Sequence, residues 1–255
     1  MRTVRARKTQ DGSIVRLLRY RGGESQPLHA HDETTLSIVL AGSVLESVGE
    51  ARVHAGPLQW VVKPMGTRHE NSFSRDGTLM LQIVLSGEAV ERACQSGCAL
   101  QRWRWEDGPG CLRVWTRLFR CLQERRSDAR TSTAVCEVVA SVGPAVPRPR
   151  NAPRWLLHAR ERLREAPHLA HVATDAGVHR VHLAREFRRH FGITPTDYRL
   201  RNRVARAAVL LSASRGSLST VAHEAGYSDQ AHMTREFRRW LNVTPLEYRR
   251  LTGTG

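Results

Sequence analysis

The sequence predicts a multidomain α and β protein: an N-terminal antiparallel β-barrel with flanking helices, then a C-terminal all-α domain with two helix-turn-helix motifs joined by a linker helix. Short apolar runs separated by Gly, Pro and Asp fill residues 13–87, and helical periodicity replaces them over residues 88–142. A helical motif then occurs twice within residues 154–251. Four prolines in residues 143–153 indicate an extended linker between the two halves.

The N-terminal segment is basic and contains little apolar surface. Arg2, Arg5, Arg7 and Lys8 are spread over residues 1–12 without a hydrophobic pattern. Because terminal segments of this kind are usually poorly ordered, we predict a mobile basic tail.

The segment from Ser13 to Leu85 has the spacing of short strands. Turn sequences such as Ala41-Gly42 separate its apolar runs. Regular spacing of this kind favours a small antiparallel sandwich or barrel. The predicted strands are Ile14–Tyr20, Thr35–Ala41, Val44–Val48, Gln59–Lys63 and Thr78–Leu85.

Residues 88–142 contain two amphipathic helical faces. Such helices either carry an interface or cover the open side of the barrel. Trp103 and Trp105 alternate as they would at the end of a strand, and no function is assigned to them. The faces consist of Leu112, Trp115, Leu118, Phe119 and Leu122 and of Val135, Val138, Val139 and Val142.

The C-terminal region contains two similar copies of one sequence motif. A helix is predicted from Arg154 to Glu165, and the duplicated motif follows it. A close repeat with helix-turn-helix spacing predicts two copies of one supersecondary unit. The first copy contains Ala173–Gly177, Ala184–Arg189 and Thr194–Arg199, and the second contains Ala222–Gly226, Thr234–Arg239 and Thr244–Arg249.

Each copy has the residues that a helix-turn-helix needs. Gly177 and Gly226 lie where a tight turn requires positive φ. Thr194-Pro195 and Thr244-Pro245 have the form of an N-cap followed by the first helical residue, with Asp197 and Glu247 at the capping-box position. The predicted core residues are Val172, Leu183, Phe187 and Phe191 in the first copy and Val221, Met233, Phe237 and Leu241 in the second.

A linker helix from Pro195 to Ala213 is predicted between the copies. Val204, Ala207, Ala208 and Leu211 form its apolar face. A helix of this length spans about 28 Å. Such a spacer would place two recognition helices about one DNA turn, roughly 34 Å, apart on one side of a duplex.

The charge favours a polyanionic partner. The chain carries 40 Lys and Arg against 24 Asp and Glu, a net charge of +16. Residues 151–255 contain 18 arginines against nine acidic residues, so the excess is densest over the repeat. A surface that binds DNA phosphates requires this distribution.

Residues 154–251 resemble the DNA-binding domain of the AraC/XylS family of bacterial transcription regulators. The resemblance is carried by the repeated Ala-x3-Gly, Arg-x-Phe-Arg-Arg and Thr-Pro-x-x-Tyr-Arg patterns and by Gly-Tyr-Ser-Asp-Gln at 226–230. It implies base contacts by Val181, Ala184 and Arg185 in the first copy and by Gln230, Ala231, Thr234 and Arg235 in the second. We expect phosphate contacts from Arg180, Arg188, Arg189, Arg238 and Arg239.

A second resemblance concerns the N-terminal segment. Gly23-x5-His29-Ala-His31-x3-Thr35 and the later Pro64-Met-Gly66-x2-His69 resemble the two signature motifs of cupin barrels, the effector domain of many such regulators. Metal-binding cupins have a glutamate where this chain has Thr35. His29, His31 and His69 could still hold a divalent metal, with Glu33 or water completing the shell, or they could contact an organic effector. Effector-binding residues are predicted at His29, His31, Glu33, Trp60, His69 and Asn71, with Arg68 and Glu70 as secondary candidates. Trp60 could equally be a core residue.

These observations lead to a ligand-responsive transcription regulator as the preferred interpretation. The resemblance implies an activator that binds double-stranded DNA, RNA polymerase and a small-molecule effector, and a homodimer formed through the helices of residues 88–142. Five cysteines without a paired framework, no signal sequence and no long apolar run predict a cytoplasmic protein without a membrane partner. The alternatives are a metal-dependent cupin enzyme fused to a DNA-binding module and an effector-independent nucleoid-type binder.

Overall fold

The computed structural model describes residues 1–106, 111–124, 127–143, 152–165, 169–213 and 216–252. The chain divides into two compact units, one made of Met1–Pro144 with Ala205–Gly255 and the other of Ala145–Val204. The division falls inside the linker helix, so the two copies of the duplicated motif belong to different units. Residues 144–151 of the predicted linker lie outside the described residues.

Ten strands of the described residues form two antiparallel sheets in the N-terminal region. All five predicted strands are present, three of them with the predicted limits. The strands are β1 (Arg2–Lys8), β2 (Ile14–Tyr20), β3 (Ser25–His29), β4 (Thr35–Ala41), β5 (Val44–Val48), β6 (Ala51–Ala55), β7 (Trp60–Lys63), β8 (His69–Phe73), β9 (Thr78–Val84) and β10 (Arg104–Glu106). Their orders are β1-β2-β9-β4-β7-β10 in the larger sheet and β3-β8-β5-β6 in the smaller one.

The prediction of a mobile basic tail is wrong, because β1 pairs with β2 along its length. Two of its arginines have partners that the sequence does not reveal. Arg5 donates to the carbonyl of Gln123 at 2.6 Å, and Arg7 donates to Thr131 Oγ1 at 3.4 Å. Carbonyls at the C-terminal end of a helix attract cations, so a basic segment is ordered here by helix ends and by strand pairing.

Three helices and a strand follow the barrel strands: α1 (Gly87–Gln95), β10, α2 (Leu112–Gln123) and α3 (Asp128–Ser141). The two predicted amphipathic faces are buried. The strand indicated by the alternation of Trp103 and Trp105 is present as β10, which contains Trp105 and extends the larger sheet beside β7.

The second unit contains α4 (Arg154–Glu165), α5 (Leu169–Asp175), α6 (Arg180–Phe191) and the start of α7 (Pro195–Ala213). The limits of α4 and α7 are those predicted from the sequence. The predicted core residues of this copy are buried except Phe191, which is half-buried against the edge of the cluster.

The chain ends with α8 (Leu218–Glu224), α9 (Gln230–Leu241) and α10 (Pro245–Thr252). Met233, Phe237 and Leu241 are fully buried, as predicted. The predicted turn glycines have φ of 65° at Gly177 and 85° at Gly226. Among the helices of the described residues, none has the length and apolar character needed to span a bilayer.

Candidate DNA-binding helices and effector pocket

The first candidate recognition helix is α6, which follows the turn at Gly177. The His179 side chain accepts a hydrogen bond from the Val181 amide at 3.3 Å and caps its N-terminus. Leu183 and Phe187 are fully buried, and this fixes which face points outward. The predicted contact residues Arg180, Val181, Arg185, Arg188 and Arg189 are exposed, and Ala184 is partly exposed.

The outward face of α6 is apolar at its start and basic beyond it. Val181 is 63% exposed, which is unusual for a valine and leaves it available for an apolar contact such as a thymine methyl. Arg185 lies 3.2 Å from His182 Nδ1 and 3.4 Å from Glu186, so its guanidinium is held along the helix surface.

The second candidate recognition helix is α9, which has a stronger N-cap. The Asp229 carboxylate accepts from the His232 amide at 2.7 Å, and this hydrogen bond lowers the pKa of Asp229. Thr234 Oγ1 donates to the Gln230 carbonyl at 2.8 Å, which fixes its rotamer. Gln230, Ala231, Arg235, Arg238 and Arg239 are exposed, and Thr234 is partly exposed. All predicted contact residues in both copies are therefore accessible.

The second copy also contacts the N-terminal region within its unit. Arg113 of α2 donates through Nε to the Arg239 carbonyl at 2.8 Å. Tyr248 of α10 is fully buried and its hydroxyl donates to the carbonyl of Leu40 in β4. Burial raises the pKa of Tyr248, so the hydroxyl remains a donor at physiological pH. These hydrogen bonds join the DNA-binding motif to the barrel and its flanking helix.

The two sheets of the barrel enclose a cavity of about 180 Å³. Its polar side contains five of the predicted effector-binding residues: His29, His31, Glu33, His69 and Asn71. Its apolar side contains Leu18, Tyr20, Val44, Phe73 and Met80.

Trp60 is a core residue, which is the second of the two roles considered for it, and it does not line the cavity. Side chains alternate along a strand, so Val61 and Lys63 of β7 point into the cavity whereas Trp60 lies on the other face, where it is buried. The secondary candidates Arg68 and Glu70 are exposed and do not line the cavity.

The three histidines form one cluster. The ring centroids of His29 and His69 are 4.3 Å apart, and His31 lies 5.1 Å from His69. Burial, and next the positive charge of Lys63, lowers the pKa of His69 to about 4 and also lowers the pKa of His31. Both rings are therefore neutral at physiological pH.

Sequence reasoning missed a buried carboxylate and its partners on the cavity wall. Glu46 of β5 is completely buried; its Oε1 forms an ion pair with Lys63, and its Oε2 accepts from the indole nitrogens of Trp103 at 3.1 Å and Trp105 at 2.6 Å. The strand alternation of β5 could have revealed Glu46, because residues two apart in a strand face the same side and Val44 faces inward.

A divalent metal fits the histidine cluster poorly. One ring nitrogen from each of the three histidines lies within 4.8 Å of the others, so the three rings could supply three ligands to one ion. The fourth ligand is what the site lacks. Thr35 supplies no carboxylate, Glu33 is exposed, and Glu46 already has Lys63 and two indoles as partners.

The C-terminal region is similar to known helix-turn-helix proteins. Residues 172–251 match a family model described as a helix-turn-helix domain. The DNA-binding domain of AdpA, a global transcriptional factor solved in complex with a target DNA, is 30% identical; the alignment covers 38% of this chain and 86% of that one, with a TM-score of 0.34. The C-terminal domain of AraT, a response regulator from Geobacillus stearothermophilus, is 25% identical over 42% of this chain and 92% of that one, with a TM-score of 0.39.

Alignments with ToxT extend over nearly the whole chain. Apo ToxT, a single-residue variant from Vibrio cholerae strain SCE256, is 10% identical over 96% of this chain and 100% of that one, with a TM-score of 0.44. Curated protein sequences give no match. The family-model match agrees with the doubled motif, and residues 172–251 form a helix-turn-helix domain of the AraC type.

Proposed function

We propose that this protein is a transcription regulator that reads two successive major-groove segments with α6 and α9 and responds to a small molecule in the barrel. The observation that carries the DNA-binding part is the exposure of the arginines on both helices while their apolar faces are buried. Such a surface meets the requirements of phosphate and base-edge contact together.

The response to an effector requires a connection between the cavity and the reader helices. In β4, Thr35 and Ser37 line the cavity, and Leu40 of the same strand accepts the hydrogen bond from Tyr248 of α10. A ligand that shifts β4 would therefore change the free energy of docking the second motif. By thermodynamic linkage, ligand binding then changes the affinity for DNA, and DNA binding changes the affinity for the ligand by the same factor.

Further parts of the proposal rest on the resemblance. We expect an activator that contacts RNA polymerase, works as a cytoplasmic homodimer through α1–α3 and has no enzymatic activity. The alternative of a metal-dependent enzyme is disfavoured because Thr35 stands where a metal-binding cupin has a glutamate and the buried carboxylate of Glu46 is already paired with Lys63.

DNA binding is tested with the full chain in fluorescence-anisotropy titrations against operator candidates from flanking DNA. Arg235→Ala should weaken the preferred sequence by about 1–3 kcal/mol and relax one base position. Arg239→Ala should weaken all sequences alike and reduce the salt dependence by about one phosphate contact. The control is Arg52→Ala, which removes an exposed arginine from β6 of the barrel. Equal affinities for all four proteins would reject the proposed reader surface.

A further inference from the structure

The inner wall of the cavity contains buried polar atoms without partners. Within the described residues, His69 Nε2 and Thr35 Oγ1 form no hydrogen bond, although both residues line the cavity. His69 is 0% exposed and Thr35 is 3% exposed. Leaving such atoms unsatisfied is costly, so a ligand group is expected to meet them.

The hydrogen bonds of the imidazoles determine whether the ligand group donates or accepts. Nδ1 of His69 lies 2.9 Å from the Thr67 carbonyl, and Nδ1 of His29 lies 2.8 Å from the Pro27 carbonyl. A carbonyl only accepts, so each Nδ1 carries a proton, and the neutral ring of His69 presents the lone pair of its Nε2. The ligand group must therefore donate a hydrogen bond.

The charge of the wall excludes the strongest donors. Glu46 Oε1, which is paired with the ammonium of Lys63, lies 4.0 Å from His69 Nε2. Arg16 and Glu33 also line the cavity and are of opposite sign, so the Lys, Arg and Glu side chains of the lining leave no net charge to balance a ligand ammonium or an anion. An anion would also meet the imidazole lone pairs. An uncharged hydroxyl has neither cost, and its oxygen can also accept from Thr35.

The opposite wall is apolar and flat. Tyr20 and Phe73 stack with ring centroids 3.7 Å apart, and Leu18, Val44 and Met80 line the same side. A cavity of about 150 Å³ holds one benzene molecule, and this cavity is about 180 Å³. The available space matches a single ring with a short substituent.

We propose that the cavity binds an uncharged, hydroxyl-bearing molecule of about one ring in size. Its hydroxyl donates to His69 and accepts from Thr35, and its apolar body packs beside Tyr20 and Phe73. The proposal rests on the proposed function only where it makes this molecule the effector.

The test uses the full chain after dialysis against a chelator, with calorimetric titration of five separate probes. Benzyl alcohol carries the proposed group, toluene lacks it, benzylamine is cationic and benzoate anionic at pH near 7, and zinc chloride tests the metal. Benzyl alcohol should bind at least about tenfold more tightly than each of the other organic probes, because buried polar groups reject a ligand that leaves them unpaired. Zinc should show no stoichiometric binding.

Two variants separate the hydroxyl contact from general stability. Thr35→Val keeps the side-chain shape and should weaken benzyl alcohol about tenfold while toluene binding is unchanged. Thr133→Val makes the same change on the exposed face of α3 and should have no effect. His69→Leu should abolish the preference for benzyl alcohol, with its circular dichroism spectrum and melting temperature as the check on folding.

Three results would overturn the proposal: stoichiometric zinc binding that His69→Leu removes, benzoate or benzylamine binding as tightly as benzyl alcohol, or no benzyl alcohol binding at about 10 mM. DNA affinity of the ligand-free chain is measured in parallel. If the ligand-free chain does not bind DNA, the proposed DNA-binding function is rejected. If it binds DNA but the ligand results are negative, only the proposed class of ligand is rejected.

Discussion

The two copies of the helix-turn-helix motif share a core but differ in their surroundings. Phe187 and Phe237 are both fully buried, and Tyr198 and Tyr248 are each 2% exposed. The first copy packs with α4 in its own unit, whereas the second belongs to the unit that contains the barrel and is hydrogen-bonded to it.

Each copy therefore has an equivalent buried phenylalanine and tyrosine, and in the second copy the tyrosine hydroxyl also donates to the barrel. We expect the second copy to transmit the state of the barrel and the first to act as a reader without such a link.

The largest expected effect comes from removing one core aromatic at a time. Phe187→Ala and Phe237→Ala should each reduce the stability of their own motif by about 3–5 kcal/mol through cavity formation. Hydrogen exchange of backbone amides would locate the loss. With Phe187→Ala, protection should fall in α5 and α6 and remain in α8 and α9. Loss of protection in both copies from either variant would mean that the two motifs are one cooperative unit.

The next effect concerns equivalent arginines of the two recognition helices. Arg235→Ala should cost about 1–3 kcal/mol of binding to the preferred DNA sequence. Arg185→Ala should cost less, because Arg185 lies beside Val181 and Ala184 rather than beside Gln230 and Thr234. Anisotropy titrations against single-base variants of the operator would measure both. An equal or larger loss for Arg185→Ala would show that the first helix contributes as much base readout as the second.

A smaller effect is expected at the equivalent tyrosines. Tyr248→Phe removes a buried hydrogen bond to Leu40 and should lower the unfolding free energy by about 0.5–1.5 kcal/mol. Tyr198→Phe is the matched control at the same position of the first copy. Urea unfolding monitored by tryptophan fluorescence gives the two values. If both variants lose the same amount, the hydrogen bond to the barrel contributes no specific stability.

The smallest effect is expected at the helix caps. Asp229→Ala should fray the start of α9 more than His179→Ala frays α6, because a carboxylate caps more strongly than an imidazole at 3.3 Å. The folded-state pKa of Asp229 lies below 3.8, so its contribution is present above that pH and is lost as the pH falls through the folded value. Amide exchange of His232 should thus differ between wild type and Asp229→Ala at neutral pH and converge in acid. A difference that persists in acid would assign it to another group.

The parts of the fold that were predictable have unambiguous local signals. The helix Pro195–Ala213 was predicted to the residue, because a Thr-Pro start and a continuous apolar face define it. The strands Ser25–His29 and His69–Phe73 were missed because most of their cavity-lining side chains (Gln26, His29, His69 and Asn71) are polar. Where the inward face of a strand lines a polar cavity, the alternation of apolar and polar residues that predicts a strand is lost.

The site was predicted only where a motif marked it. The histidines were found through their spacing, and the recognition helices through the repeat. Glu46 and Lys63 were missed because charged residues in short strands are usually exposed. Trp60 was wrongly included because the face of its strand is set by tertiary register, which no local pattern gives.

Glu46 has a practical consequence for anyone who would redesign this barrel as a biosensor. It belongs to the smaller sheet, and its partners Lys63 and Trp105 belong to strands of the larger one. Deleting one side of such a buried tie leaves an unmatched charge, which proteins tolerate badly. A mutant library aimed at new inducers should therefore vary Ser37 and Gln82 and keep this crosslink intact, because randomising it would mainly enrich clones that fail to fold.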